Sequence, residues 1–329
     1  MGAMNSKDQQ ELIIVAAWLY YDEKLTQEQI AEKLNLSRVG VTRLLQKARQ
    51  EGVVEFRMTK PLPLHYNLSW QLQKRYGLKE VIIAKTCDTE AETLDAVGAA
   101  TAQYLAQIVF PECRLGIVGW SKSLSYMVPY LKPSVGVKPA VVHELVGSFV
   151  GKANVYNVSM QVAQALETPI DIMPVPAVVS SEAARAAILS EPAINRALRH
   201  ARQCDIAFVG IGHVGHDWTM VMRGHLSQEE ADYIRSKGAV GDVIGRYYDE
   251  YGRRVVTDLD ERVISIDWDD ILHIPHVVAV ASGAHKVKPI LGALRGGLCH
   301  CLITDTKTAQ QVLESEHEET QQTLAEQQV

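Results

Sequence analysis

Two sets of polar side chains stand out by type and spacing. Arg38, Thr42, Arg43, Gln46 and Lys47 recur at helical intervals, with Val41, Leu44, Leu45 and Ala48 on the opposite side of the same pattern. Guanidinium and ammonium groups meet phosphates or guanine, and a Gln amide meets adenine, so this face suits a DNA major groove. The second set is Gly119-Trp120-Ser121-Lys122-Ser123, between an apolar run and a helical one. A tight turn at Gly119, the Ser121 and Ser123 hydroxyls, the amides of a helix start and the charge of Lys122 together suit an anion. Gly147-Ser148, Gly210-Ile211-Gly212, Gly241-Asp242 with Asp249 beyond it, and Ser282-Gly283-Ala284-His285-Lys286 hold similar strand-end positions. Amide-rich turns for phosphate and two carboxylates for hydroxyls describe a site for a phosphorylated sugar or polyol.

The first set needs a helix pair to hold it, and Thr26 to Gly52 has the pattern of one. Thr26 and Gln29 make a capping box, and Ile30, Ala31 and Leu34 follow at helical spacing. Asn35 falls where a turn requires positive φ, and Ser37 is a natural cap for the second helix. An αα-hairpin with a solvated basic face would share this pattern. Charge separates the two readings: residues 37–60 carry six basic side chains against two acidic, a net +4, whereas residues 1–36 carry three against six, a net −3, in a chain of −6. Val53–Met58 alternates like a short strand, the wing of a winged helix-turn-helix, and Leu12–Tyr21 is an apolar helix whose Leu12, Val15, Ala16 and Leu19 can cover the pair.

The second set needs a sheet. From Val81 onward short apolar runs alternate with helical stretches: Val81–Ala84, Arg114–Gly119, Ala140–Val146, Ile170–Val175, Asp205–Gly212, Val277–Ser282 and Cys301–Thr304 read as strands. Apolar strands separated by helices predict an α/β, Rossmann-like, mostly parallel sheet, with ligands beyond its carboxyl ends. The expected domains are residues 1–60 for DNA, a linker helix within 61–78, an effector domain over 79–314 and a polar tail over 315–329. The linker helix, Leu64–Tyr76, can pair with its copy in another subunit or dock on its own second domain.

With 329 residues and 47% apolar composition there is material for two domains. No run of about 18 apolar residues spans a membrane, the N-terminus lacks a secretory layout, and five scattered cysteines fit reduced thiols, so a cytoplasmic location is expected. Metal and catalytic readings fall short. His273 with His276 and the run Cys299-His300-Cys301 look like ligand spacing, but alternation on a strand points His300 away from both cysteines. His213 and His216 flank Asp217 without an activated partner. No catalytic residue, metal or cofactor is therefore expected.

Together these residues resemble the SorC/DeoR-type family of bacterial sugar-sensing transcriptional regulators. The resemblance runs from about Glu11 to Leu313, through AAWLYYDEKLTQEQIAEKLNLSRVGVTRLLQKARQEGVV, GWSKSL, ELVGS, DIAFVGIG, GAVGDVIGRYYDEYG and VASGAHKVKPILGALRGGLCHCLITDTKTA. It implies a winged helix-turn-helix followed by an effector domain related in fold to sugar-phosphate isomerases, and tetramers built as pairs of dimers. It puts the family's phosphate loop on Ser121, Lys122 and Ser123, where Ser121 stands for the usual glycine and Lys122 for the first hydroxyl residue. The paired glycines fall on Gly147 and Ser148, and the sugar-facing polar positions on Asp242, Asp249 and Lys286. The expected protein is thus a regulator of a carbohydrate-utilisation operon. Ser37, Arg38, Thr42, Arg43, Gln46 and Lys47 meet double-stranded operator DNA. Gly119, Trp120 and the polar residues just named meet a small sugar, polyol or phosphate effector. A sugar-phosphate isomerase or deaminase carrying a DNA domain is the alternative, and a protein-interaction role for the hairpin is a second.

Overall fold

The computed structural model describes residues 6–55, 62–132, 138–148, 157–215, 218–222 and 224–326. The chain divides into two compact units, Met1–Leu62 and Pro63–Val329.

Among its described residues the first unit is all helix: α1 (Ser6–Tyr21), α2 (Gln27–Leu34) and α3 (Arg38–Gln50). Leu19, Ile30, Ala31, Val41 and Leu45 form its core, and Ile13, Ala17 and Ala48 a smaller cluster beside it. The covering face of α1 keeps Ala16 and Leu19 of the expected set, leaves Leu12 half-buried and replaces Val15 by Ile13 and Ala17. Ile13, Ala16, Ala17 and Leu19 are buried, whereas Val15 and Trp18 are exposed, because a helix this apolar offers two stripes and packing selects one. Val53 and Val54 form a bend and Glu55 is irregular rather than strand, and the rest of the expected wing, 56–58, lies outside the described residues.

The second unit runs α4 (Leu64–Tyr76), β1 (Glu80–Ala84), α5 (Glu90–Ile108), β2 (Arg114–Ile117), α6 (Lys122–Ser125), β3 (Val141–Glu144), α7 (Val158–Ala165), β4 (Ile170–Asp171), α8 (Glu182–Ser190), α9 (Pro192–Ala201) and β5 (Ile206–Gly210). It continues with β6 (Gly212–His213), α10 (Thr219–Met222), α11 (Gln228–Ser236), β7 (Gly241–Val243), β8 (Arg246–Tyr248), β9 (Arg254–Val255), α12 (Trp268–His273), β10 (His276–Val280), α13 (Val287–Arg295), β11 (Cys301–Asp305) and α14 (Thr306–Glu326). Seven of these strands form a parallel sheet in the order β1-β11-β10-β5-β2-β3-β4. Its central strands are buried on both faces, which explains their continuous apolar runs: IAFVG in β5, HVVAV in β10 and CLITD in β11. Leu115, Ile117, Phe208, Val209, Val278, Leu302 and Ile303 lie at its heart, each at most 3% exposed, and each is worth about 1.5–3 kcal/mol of burial.

The strand order places the ligand end. From β2 the chain steps outward to β3 and β4. It then returns to the other side of β2 with β5 and steps the opposite way through β10 and β11. The two directions part between the paired strands β2 and β5, where Ile117 lies opposite Phe208, and a crevice opens beyond their carboxyl ends. A four-stranded antiparallel meander, β6-β7-β8-β9, stands above that point on its own apolar cluster of Trp218, Tyr247, Leu259 and Val263.

The linker helix α4 docks on its own domain. Leu68 and Leu72 are buried, Ser69 Oγ donates to Val81 O at 2.6 Å, and Glu316 on α14 accepts from Arg75 (3.0 Å), Tyr76 Oη (2.9 Å) and Arg295 (2.6 Å). The expected tail boundary at 314/315 thus falls inside α14. Tyr66 and Trp70 on the outer face of α4 remain 65% and 57% exposed.

Candidate functional site

On the first unit the turn is built as its residues require. Gln29 N donates to Thr26 Oγ1 (3.3 Å) while Thr26 N donates to Gln29 Oε1 (2.9 Å), so two helix-start amides are satisfied reciprocally. Asn35 ends α2 in the left-handed region at φ 52, which its short polar side chain tolerates. Ser37 Oγ accepts from Gly40 N at 3.1 Å and so fixes the start of α3. Arg38, Arg43 and Gln46 project outward and are exposed, and Lys47 is half-buried. Arg38 pairs with Glu28 at 3.3 Å. Thr42 Oγ1 donates to Gln27 Oε1 at 2.9 Å, which ties α3 to α2. Arg49, also exposed, donates from Nε to the Tyr21 hydroxyl at 3.0 Å and so braces α1.

On the second unit a cavity of about 340 Å³ sits where the sheet reverses. Its walls include Trp120, Ser121, Lys122 and Ser123 after β2, Gly210 to His213 after β5, Asp242 and Ile244 from the meander, and Ser282, His285 and Lys286 after β10. Leu94, Val118, Trp218 and Met220 add an apolar side, and Glu90 stands at the mouth. Trp120 packs against both apolar clusters and so joins sheet to meander.

The two glycines of DIAFVGIG have steric reasons. A Cβ at Gly210 would lie 2.4 Å from Ser121 Oγ, and one at Gly212 would lie 1.8 Å from Asp242 Oδ1. Gly212 is paired directly with Asp242 across β6 and β7, so the bare backbone admits the carboxylate into the cavity wall. Asp242 Oδ2 accepts from Gly245 N at 3.2 Å, which closes a hairpin whose two loop residues, Ile244 and Gly245, have φ of 55 and 76. Burial pushes the Asp242 carboxyl up to about 6, against the opposing charge of Lys286 and the Gly245 amide. Lys286 Nζ donates to Ile211 O at 2.7 Å and lies 3.4 Å from His213 Nδ1, and the His213 and His285 rings meet edge to face at 4.7 Å. Ser282 Oγ donates to Asp305 Oδ2 at 2.8 Å. Ser121 Oγ accepts from Leu124 N at 3.3 Å, and Lys122 Nζ meets Glu90 Oε1 at 2.7 Å. Two ammonium groups, two carboxyl groups, serine hydroxyls and an apolar wall suit a small hydroxylated molecule.

Four sequence-derived positions do not line this cavity. Gly119 lies beneath it: its carbonyl accepts from Val158 N, and a Cβ there would sit 3.1 Å from Ser159 Oγ. Gly147 and Ser148 are stitched to Ile264 and Val175 by backbone hydrogen bonds, with no room for a Cβ at Gly147, 2.7 Å from Val175 O. Asp249 closes its own turn, accepting from Tyr251 N (3.0 Å), Arg253 N (2.9 Å) and Arg253 Nε (2.8 Å). Conversely, Glu90, Leu94, Trp218 and Met220 join the wall from segments remote from the strand-end turns, while His213 and Ile244 come from the edges of the Gly210–Gly212 and Gly241–Asp242 turns themselves. His216 and Asp217 lie outside the described residues. Among the described residues no His, Cys, Asp and Glu group is arranged to hold a metal ion, and no helix is long and apolar enough to cross a membrane.

Residues 61–314 match the family of sugar-binding domains designated Sugar-bind. The chain is 31% identical to the transcriptional regulator LsrR of an Enterobacter species, over 93% of each chain. It is also 31% identical to the deoxyribonucleoside regulator of Bacillus subtilis, over 92% of this chain and 97% of that one. Among solved structures, the full-length sorbitol operon regulator SorC of Klebsiella pneumoniae superposes with a TM-score of 0.73 at 28% identity, covering 94% of this chain and all of that one. A family match over residues 61–314 and relatives at 31% identity along nearly the whole chain show that the protein belongs to the SorC/DeoR-type family of bacterial transcriptional regulators with a sugar-binding domain.

Proposed function

We propose that the protein binds operator DNA through α3 and releases or engages it in response to a small sugar, polyol or sugar phosphate held in the strand-end cavity. The observation that carries this is the convergence of Ser121, Lys122, Ser123, Asp242 and Lys286 at the reversal of the sheet, from three separate stretches of chain. Lys122 and the serine hydroxyls serve the anionic or most polar end of the effector, and Asp242 and Lys286 its hydroxyls. The apolar side formed by Leu94, Trp120 and Met220 takes its carbon skeleton. On α3, Arg43 and Gln46 reach base edges, Arg38 and Lys47 the phosphates, and Ser37 and Thr42 set the helix in register. The relatives' names concern sorbitol and deoxyribonucleoside regulation, which supports a carbohydrate-utilisation operon as the target. The reading is binding without turnover, in the cytoplasm, by a homo-oligomer. Effector binding shifts the packing of subunits and with it the spacing of helix-turn-helix pairs on DNA.

A thermal-shift screen of the full chain against polyols, sugars and their phosphates tests this. One class of compound should raise the melting point of the wild type in a saturable way and leave Asp242→Ala unmoved. Equal shifts in both proteins would put the effector elsewhere, and turnover of any compound in the panel would show an enzyme.

A further inference from the structure

Glu90 is the first residue of α5, next to its cap Thr89. Acidic residues are favoured at a helix start, which accounts for both Glu90 and Glu92. The two behave differently. Glu92 turns back, its Oε2 accepting from Thr89 N at 3.2 Å, while Glu90 crosses the cavity mouth, its Oε1 2.7 Å from Lys122 Nζ. Both members of this ion pair line the cavity, and their side chains are 63% and 53% exposed. The other lysine of the lining, Lys286, is held by Ile211 O, with the Asp242 carboxyl in its field. Each of the two ammonium groups is thus opposed by a carboxyl group of the chain itself.

We propose that Glu90 is a specificity-determining residue: its carboxylate competes with an anionic ligand group for Lys122. The inference rests on the effector-site reading above and adds a residue that none of the strand-end turns contains. A phosphate ester at the Lys122 ammonium meets the negative Glu90 carboxylate as a competitor and a like charge, whereas a neutral polyhydroxylated ligand does not. The pair is solvent-exposed and therefore weak and salt-sensitive, so the competition shifts affinity without blocking the site.

The test is calorimetric titration of the full-length wild type, Glu90→Gln and Lys122→Ala proteins with inorganic phosphate in low-salt buffer. Glu90→Gln should bind phosphate about two- to fivefold more tightly than the wild type, and this difference should shrink as sodium chloride is added. Lys122→Ala should lose the binding. A Glu90→Gln protein that binds phosphate no more tightly than the wild type, or binds none, overturns the proposal while leaving the effector site standing. If Lys122→Ala binds phosphate as well as the wild type, the anion lies elsewhere and the proposal falls; the effector-site reading itself falls only if Asp242→Ala keeps the wild-type response to the effector.

Discussion

Asp242 concentrates the chemistry of the cavity at one residue. It is 5% exposed, sits against Gly212, whose missing Cβ leaves room for its carboxylate, and has its carboxyl raised to about 6 by burial. An unfolded Asp titrates near 3.9, so between roughly pH 4 and 6 the folded protein holds a proton that the unfolded chain has lost. Stability contributed at this position is therefore full below about pH 4, falls as pH rises through 6, and stays lowered above it. The lost amount is about 2–3 kcal/mol, because each tenfold change in proton affinity is worth about 1.4 kcal/mol. Asp242→Asn should consequently stabilise the protein by an amount of this order at pH 8 and by nothing near pH 4, as urea denaturation at the two pH values would measure. A variant less stable than the wild type at pH 8 would mean that the Lys286 and Gly245 contacts outweigh the desolvation. The gain would come with loss of effector response, the usual cost of keeping a buried polar group at a binding site.

At the scale of elements, α3 separates its two duties by face. Val41, Leu45 and Ala48 are fully or nearly buried, Thr42 is tied to α2, and Arg43 and Gln46 stand exposed on the side away from the core. Arg43→Ala should therefore leave the melting temperature within a degree or so. It should weaken operator binding by about 1–3 kcal/mol, if Arg43 reads a guanine, as quantitative gel-shift titration would show. An unchanged operator affinity removes Arg43 from the reading face. Helix caps and the apolar stripes of this unit were legible in the sequence because they are local: Thr26, Asn35 and Ser37 act within four residues of their partners. The covering stripe of α1 was only half legible: Ala16 and Leu19 are buried as expected, but Ile13 and Val15 are equally apolar and only the position of α3 chooses between them. The meander was also missed. Its strands are two or three residues long, too short for alternation to appear, and exist because β6 to β9 close on a buried cluster supplied by distant segments.

For the whole molecule, control requires coupling between effector and DNA, and coupling is reciprocal. If a saturating effector lowers operator affinity by some factor, commonly about 5- to 150-fold in such systems, saturating operator DNA must lower effector affinity by the same factor. Paired titrations, DNA with and without effector and effector with and without DNA, check this; unequal factors would mean that a third species, such as a change of oligomeric state, enters the equilibrium. The sequence by itself determined the class of fold, the helix caps, the basic outer face of α3 and most of the turns that carry Ser121, Lys122, Asp242 and Lys286. These depend on period, charge and chain direction, which are properties of short segments. Only the tertiary structure decided which of those turns share a cavity. The order of strands brings the ends of β2, β5 and β10 together and leaves Gly147, Ser148 and Asp249 aside. It also brought Glu90 across to Lys122, thirty-two residues away in the chain, a meeting set by where two helices begin in space and by no pattern along the sequence.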